Sequence, residues 1–270
     1  MSSSSSSMSE SDGRFRRAIV RSPAENFADG LTTVDLGVPD VGKALAQHAA
    51  YCAALEDVGV ELTRLPAEAS HPDSTFVEDT AILTPRGAAI LTCPGAPSRE
   101  GEVASIERAL SAFYPSFLRI EAPGTVDGGD VCEAGDHFFI RVGRRTNDDG
   151  ARQLARHLAG DGYASTLVDL REIEGLLHLK SGIAWLGGKT LLVIDPLAAH
   201  SAFRGWELIR VPPGEDYASN CVLVNDRIFF AEGFPLLERA LRERGYRLIV
   251  LPMSEFQKMD GGLSCLSLRF

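Results

Sequence analysis

The chain has 270 residues, 44% hydrophobic and 24% charged, a balance that suits a soluble globular protein with a substantial core. Its 37 acidic and 27 basic side chains give a formal charge of −10, which would repel a phosphate backbone and disfavours a nucleic-acid partner, whereas a small cationic ligand suits that field. No apolar run approaches the ~20 residues that cross a bilayer, and five cysteines that are never spaced as CxxC argue against a disulfide framework or a structural zinc site and for a reducing, cytoplasmic setting.

The chain opens on Met1 and a serine run without an apolar stretch behind it, so residues 1–13 are expected to be a disordered tail rather than a secretory signal, with Met8 as an alternative start. Residues 14–270 read as one domain. Helical patterns begin near Pro39, Arg99, Asn147, Ala198 and Phe234. Each is followed by a short β-rich run, at 61–65, 117–120, 165–170, 206–211 and 246–251. Strand pairs joined by short turns are expected at 76–83 with 88–93, 179–186 with 190–194, and 221–224 with 227–231. The unit is hairpin, helix, strand, about five times over. Such a unit cannot cover its apolar face alone, so the repetition predicts copies around a common centre; a conventional α/β sandwich has the same element order.

Four segments put ionisable groups in or beside apolar runs, where an unpaired charge is costly to bury. Asp73-Ser-Thr-Phe-Val-Glu78-Asp79 carries adjacent acids, which strand alternation would send to opposite faces; a solvated loop reads the same way. In Thr125-Val-Asp127-Gly-Gly-Asp130 the glycines permit close approach by another group, or simply a β-turn. His178, flanked by leucines, is either a satisfied core histidine or a proton-transfer group. Met259-Asp260-Gly-Gly-Leu-Ser264-Cys265 gives a flexible approach that presents a thiol, although buried inert cysteine is the commoner fate of that residue. Cys52 and Cys221 are assigned to packing, and Cys93 and Cys132 are left unassigned, with a structural role as the default.

Together with Pro94-Gly-Ala-Pro-Ser-Arg99, Arg145-Thr-Asn147 and Leu177-His-Leu-Lys-Ser181, these blocks resemble, in order and from about Arg17 onward, the dimethylarginine dimethylaminohydrolases of the guanidine-modifying superfamily. The resemblance implies an α/β fold, the five-bladed pentein propeller of ββαβ units around a central site. It implies Cys265 as nucleophile, His178 as general acid and base, and Asp127 as the carboxylate that orients the histidine. Asp73, Glu78 and Asp79 match residues that hold the guanidinium, Arg99 and Arg145 those that grip the α-amino acid end, and Leu31 and Met259 further substrate contacts, the latter through its carbonyl. No cofactor or metal is implied, the partner is a methylated arginine, and a homodimer is compatible.

The chemistry has a physical reason for these groups. A guanidinium is planar and permanently cationic, so its carbon resists attack until carboxylates fix its plane and a nucleophile is held against it. A free thiol, with a pKa of ~8.5, is mostly protonated at neutral pH, and the bound cation itself can favour the thiolate. The rival activity on the same fold is arginine deiminase, which carries an extra helical insertion for which this chain has no room. A non-catalytic propeller module is a rival of another class and would not need the cysteine, histidine and acids.

Overall fold

The computed structural model of the chain describes residues 15–173 and 175–270; the tail expected over residues 1–13 lies outside them. Among the described residues the strands form five three-stranded sheets. The second sheet shows the plan. Strands β3 (Ala81–Leu83) and β4 (Ala89–Leu91) pair antiparallel, helix α2 (Glu102–Leu110) crosses over, and β5 (Leu118–Arg119) returns parallel to β4. The third sheet repeats it with β6 (Val131–Ala134), β7 (His137–Val142), α3 (Asp148–Gly160) and β8 (Ala164–Asp169). The fourth has β9 (Ile183–Trp185), β10 (Thr190–Val193), α4 (Asp195–Ala198) and β11 (Glu207–Arg210). The fifth has β12 (Val222–Val224), β13 (Arg227–Ala231), α5 (Pro235–Glu243) and β14 (Leu248–Leu251).

The remaining blade is assembled from both ends of the chain. β1 (Arg17–Arg21) precedes α1 (Val41–Asp57) and β2 (Glu61–Leu65), and its antiparallel partner is β15 (Leu268–Arg269), which follows the short α6 (Ser254–Gln257). The C-terminal strand thereby closes the ring and brings Cys265, three residues upstream of β15, to the position that precedes the first strand in every other blade. This is the five-bladed α/β propeller, and the sandwich alternative is set aside.

Local sequence explains the helices. Asp40 caps α1 by accepting from the Lys43 amide at 2.9 Å, and Asn147 caps α3 by accepting from the Gly150 amide at 2.8 Å. Pro235 opens α5 at a position where its missing N–H costs nothing. Packing then holds them: Ala151, Leu154 and Leu158 of α3 bury against Phe138, Ile140 and Val142 of β7, and each fully buried aliphatic or phenylalanine side chain is worth about 1.5–3 kcal/mol.

Three expectations are corrected. The helical pattern expected from Ala198 onward is instead a four-residue helix ending there, after which the His200 ring accepts from the Ala202 amide and restarts the chain as a 3-10 turn at Ser201–Phe203. The strand expected over 76–83 begins only at Ala81. Residues Val77–Thr80 form a 3-10 turn, closed by the Thr80 hydroxyl donating to the Val77 carbonyl at 2.7 Å. Likewise the strand expected from Leu179 begins at Ile183, because Leu179–Ser181 is a 3-10 turn whose first amide donates to Asp130 Oδ1.

Candidate active site

All five first strands are preceded by a 3-10 turn: Val77–Thr80, Gly128–Asp130, Leu179–Ser181, Asp216–Ser219 and Ser264–Leu266. The turn at Val77–Thr80 touches those at Gly128–Asp130 and Ser264–Leu266, and the chain of contacts continues through Leu179–Ser181 to Asp216–Ser219. Pseudo-symmetry therefore delivers five short segments to one centre. The ionisable residues singled out in the sequence lie on or beside them.

Glu78 and Asp79 are both buried. The opposite-face expectation for this pair fails because a 3-10 turn, not a strand, carries them. Glu78 Oε2 accepts from the Ser264 hydroxyl at 2.7 Å, while Oε1 pairs with Lys180 Nζ at 2.6 Å and Arg269 at 3.2 Å. Asp79 Oδ1 accepts from the Gly129 amide at 2.8 Å, and Oδ2 is held by Arg99. Burial alone would raise the Asp79 carboxyl, but His178, Arg99 and the Gly129 amide bring it down to about 2.

His178 caps the Leu179–Ser181 turn, with its Nε2 2.9 Å from Asp127 Oδ2. A carboxylate only accepts, so Nε2 carries the proton. The other carboxylate oxygen, Oδ1, accepts from the Gly95 amide at 2.7 Å, and Asp127 is wholly buried. The glycine pair serves this packing. A Cβ on Gly129 would lie 2.7 Å from His178 Nδ1 and 3.0 Å from Asp79 Oδ1, and one on Gly128 would strike the Glu78 carbonyl at 1.9 Å. Burial pushes the imidazole down, yet Asp79, the bond to Asp127 and Asp130 raise it to about 9.

Asp79, Asp127 and His178 place potential ligand atoms within 4.8 Å of one another. With Nε2 oriented by Asp127, the ring leaves Nδ1 available, an arrangement that can move a proton as well as serve a ligand set.

Cys265 is buried on the Ser264–Leu266 turn, its amide donating to the Gly262 carbonyl at 3.2 Å. Its sulfur lies 3.9 Å from Asn220 Nδ2 and 4.0 Å from Ser264 Oγ. Burial first, then Glu78 and Asp79, push the thiol up to about 12, with Lys180 opposing. The preceding glycines are needed for contact rather than flexibility: a Cβ on Gly261 would lie 2.3 Å from the Phe76 ring, and one on Gly262 2.3 Å from the Asn220 amide. Cys265 and His178 thus both face Asp79 from different blades, Cys265 also facing Glu78. All five cysteines are free thiols; Cys93 lines a separate cavity of about 300 Å³.

Asp73 Oδ1 accepts from the Leu31 amide at 3.0 Å, and a Cβ on the intervening Gly30 would meet both Asp73 Oδ1 and Met259 Cε. Leu31, Asp73 and Met259 therefore converge, with half-exposed Leu31 outermost. Arg145 is part-exposed, 3.7 Å from Asp127.

The chain was matched against known proteins. It is 45% identical over 257 residues to an N(G),N(G)-dimethylarginine dimethylaminohydrolase of Pseudomonas aeruginosa, covering 95% of this chain and all of that one. The chain belongs to the dimethylarginine dimethylaminohydrolase family. It is a hydrolase of guanidino C–N bonds. Among solved structures, the Pseudomonas aeruginosa enzyme as a cysteine-to-serine mutant complexed with citrulline superimposes with a TM-score of 0.91 at 44% identity, covering 95% of this chain and all of that one. A histidine-to-glycine dimethylarginine dimethylaminohydrolase as an adduct with S-methyl-L-thiocitrulline matches with the same score, identity and coverage. No family model matches the chain.

In this family member one expected grip is engaged within the protein. Arg99 is buried, and its guanidinium is engaged by Glu102 at 2.8 and 3.0 Å, Asp79, and the Phe76 carbonyl at 3.0 Å. As placed, it braces Asp79 rather than presenting itself to a substrate carboxylate. Sequence reasoning gave no role to Lys180, Asn220, Ser264 or Arg269. Lys180 and Ser264 stood inside the quoted blocks, and Asn220 is a polar residue opening an apolar strand run, which is the signal that could have found it.

Proposed function

We propose that this family member hydrolyses asymmetric dimethylarginine and monomethylarginine to citrulline and dimethylamine or methylamine through a covalent thiouronium on Cys265. The observation that carries this reading is that Cys265 and His178, on turns of different blades, both face the buried Asp79. The citrulline complex and the thiocitrulline adduct of the relatives support it.

The carboxylates of Glu78 and Asp79, with Asp73, accept the guanidinium N–H groups and fix its plane. Without substrate, burial and then the acids hold the thiol protonated, and the acids, against burial, hold the imidazole charged. The arriving cation offsets those acids, and the thiol releases its proton to solvent. The thiolate attacks the guanidinium carbon and gives a tetrahedral adduct. His178 donates its proton to the alkylamine, whose C–N bond breaks to leave the thiouronium. The neutral imidazole then takes a proton from water, and the resulting hydroxide attacks the same carbon. Collapse breaks the C–S bond and yields citrulline and Cys265. Asp127 keeps the ring oriented throughout. Arg145 grips the α-carboxylate, the Met259 carbonyl receives the α-amino group, and Leu31 covers the bound substrate. The residues supply each proton and charge themselves, so no metal or organic cofactor is invoked. The five free thiols suit a cytoplasmic setting, and no helix among the described residues is long and apolar enough to cross a membrane.

The test is product analysis with three substrates. Dimethylamine from asymmetric dimethylarginine and methylamine from monomethylarginine, with little ammonia from arginine, is the expected pattern; ammonia from arginine as the main product would assign a deiminase.

A further inference from the structure

The acid pair is matched by a basic pair. Residues 78 and 79 face residues 178 and 180, which lie at and just after the start of one 3-10 turn: the His178 imidazole meets Asp79, and the Lys180 ammonium meets Glu78 at 2.6 Å. Glu78 is also where the nucleophile's own segment is tied. Ser264, adjacent to Cys265, donates to its Oε2 at 2.7 Å. Arg269 of β15 reaches Oε1 at 3.2 Å while donating to the Ser264 carbonyl at 3.1 Å.

We infer that Lys180 is a positioning residue for the nucleophile: by clamping Glu78 it joins the turn that carries the imidazole to the turn that carries the thiol. The inference rests on the reading of Cys265 as nucleophile. A flexible lysine on an exposed glutamate would mean little, but here the Glu78 side chain is 5% exposed and that of Lys180 17%. A buried carboxylate that loses the nearer of its two cations, with Arg269 alone remaining, shifts towards the partner left to it or takes up a proton. Either response would move the Ser264 hydroxyl and the sulfur beside it.

Charge reinforces geometry. Asn220 and Ser264 lie beside the sulfur, which also faces Glu78, Asp79, Lys180 and the Tyr217 phenol; Glu78 and Asp79 oppose the thiolate, and the Lys180 ammonium favours it. On its other sides Lys180 faces Cys132 and Glu133 of β6. Burial pushes the Glu133 carboxyl up to about 7, against Lys180 and Arg269.

The experiment uses the full chain and reads alkylation of Cys265 by iodoacetamide at pH 9, quantified on its own peptide, with half-buried Cys93 in the same sample as internal reference. In Lys180→Met the Cys265 rate is expected to fall about tenfold relative to Cys93, because the cation that favours the thiolate is gone. Lys180→Arg should return most of that rate. With asymmetric dimethylarginine, kcat of Lys180→Met should fall about 10²-fold, a typical cost of misplacing a reacting group. Should Lys180→Met lose its cooperative thermal transition, Lys180→Ala, which removes both the cation and the donor to Glu78 without adding bulk, takes its place. A folded Lys180→Met or Lys180→Ala protein with the parent's Cys265-to-Cys93 ratio overturns the inference, whatever its turnover. Because alkylation needs no substrate, a parent protein inert towards every methylarginine would sink the proposed function while leaving this measurement decisive.

Discussion

His178 Nε2 lies 2.9 Å from Asp127 Oδ2, and this contact decides which ring nitrogen is left for chemistry. With Nε2 bound to an acceptor-only oxygen, Nδ1 faces the acid-lined centre, where a Gly129 Cβ would have to sit. Asp127→Asn puts a side-chain amide of the same shape in its place, and that amide can turn its N–H₂ towards Nε2 and favour the wrong tautomer. The expected outcome is a kcat about 10²–10⁴-fold lower with KM little changed, by analogy with the loss of orienting carboxylates elsewhere. Steady-state kinetics on the purified variant check it.

The same imidazole ties stability to pH. Its folded value of about 9 lies above the ordinary 6.5. A raised value means that the stabilisation is complete below about pH 6.5, declines as pH rises through about 9 and is absent beyond it. Across that window the loss is on the order of 3 kcal/mol. Denaturant unfolding of the parent and of His178→Gln at pH 6 and pH 9.5 isolates the contribution, since other groups titrate alike in both. The parent should lose more stability between the two pH values than the variant. Asp79, held down at about 2, gives the acid limb: its contribution is lost as pH falls below its ordinary 3.8.

Two arginines that look equivalent in sequence are expected to separate on mutation. Arg145 is part-exposed and 3.7 Å from Asp127, which keeps its bonds to His178 and the Gly95 amide without it, so Arg145→Ala should raise KM at least tenfold while shifting the unfolding midpoint less than Arg99→Ala does. Arg99 is buried between Asp79 and Glu102, so Arg99→Ala strands two buried acids and should cost about 3–5 kcal/mol of stability. Parallel thermal melts and kinetics on both variants distinguish gripping from bracing.

Much of the fold could be read from the sequence because its signals are local. Asp40 and Asn147 mark helix starts, and the run at Glu61–Leu65 becomes a strand at those very bounds. Closure could not be read in that way, since the pairing of Leu268 with Ile19 joins residues at opposite ends of the chain. The 3-10 turns were missed because Phe76-Val77 and Leu179 are as apolar as strand residues; what bends them are bonds from Thr80 and Asp130, which periodicity does not register. In the site, Glu78 and Asp79 stood out as acids beside an apolar run. Their partners Lys180, Ser264 and Arg269 did not, since a cation or hydroxyl near a strand reads as an ordinary solvated group until the burial of its acid is seen.

Mass spectrometry of the protein, acid-quenched during turnover, bears most directly on whether the Cys265 sulfur attacks the guanidinium carbon. Asymmetric dimethylarginine and monomethylarginine should both leave an adduct on the Cys265 peptide, and the two adducts should have the same mass, because the alkylamine that distinguishes the substrates has already departed. Citrulline formed at an undiminished rate by Cys265→Ser, with no adduct on the Cys265 peptide of the parent, would contradict the account.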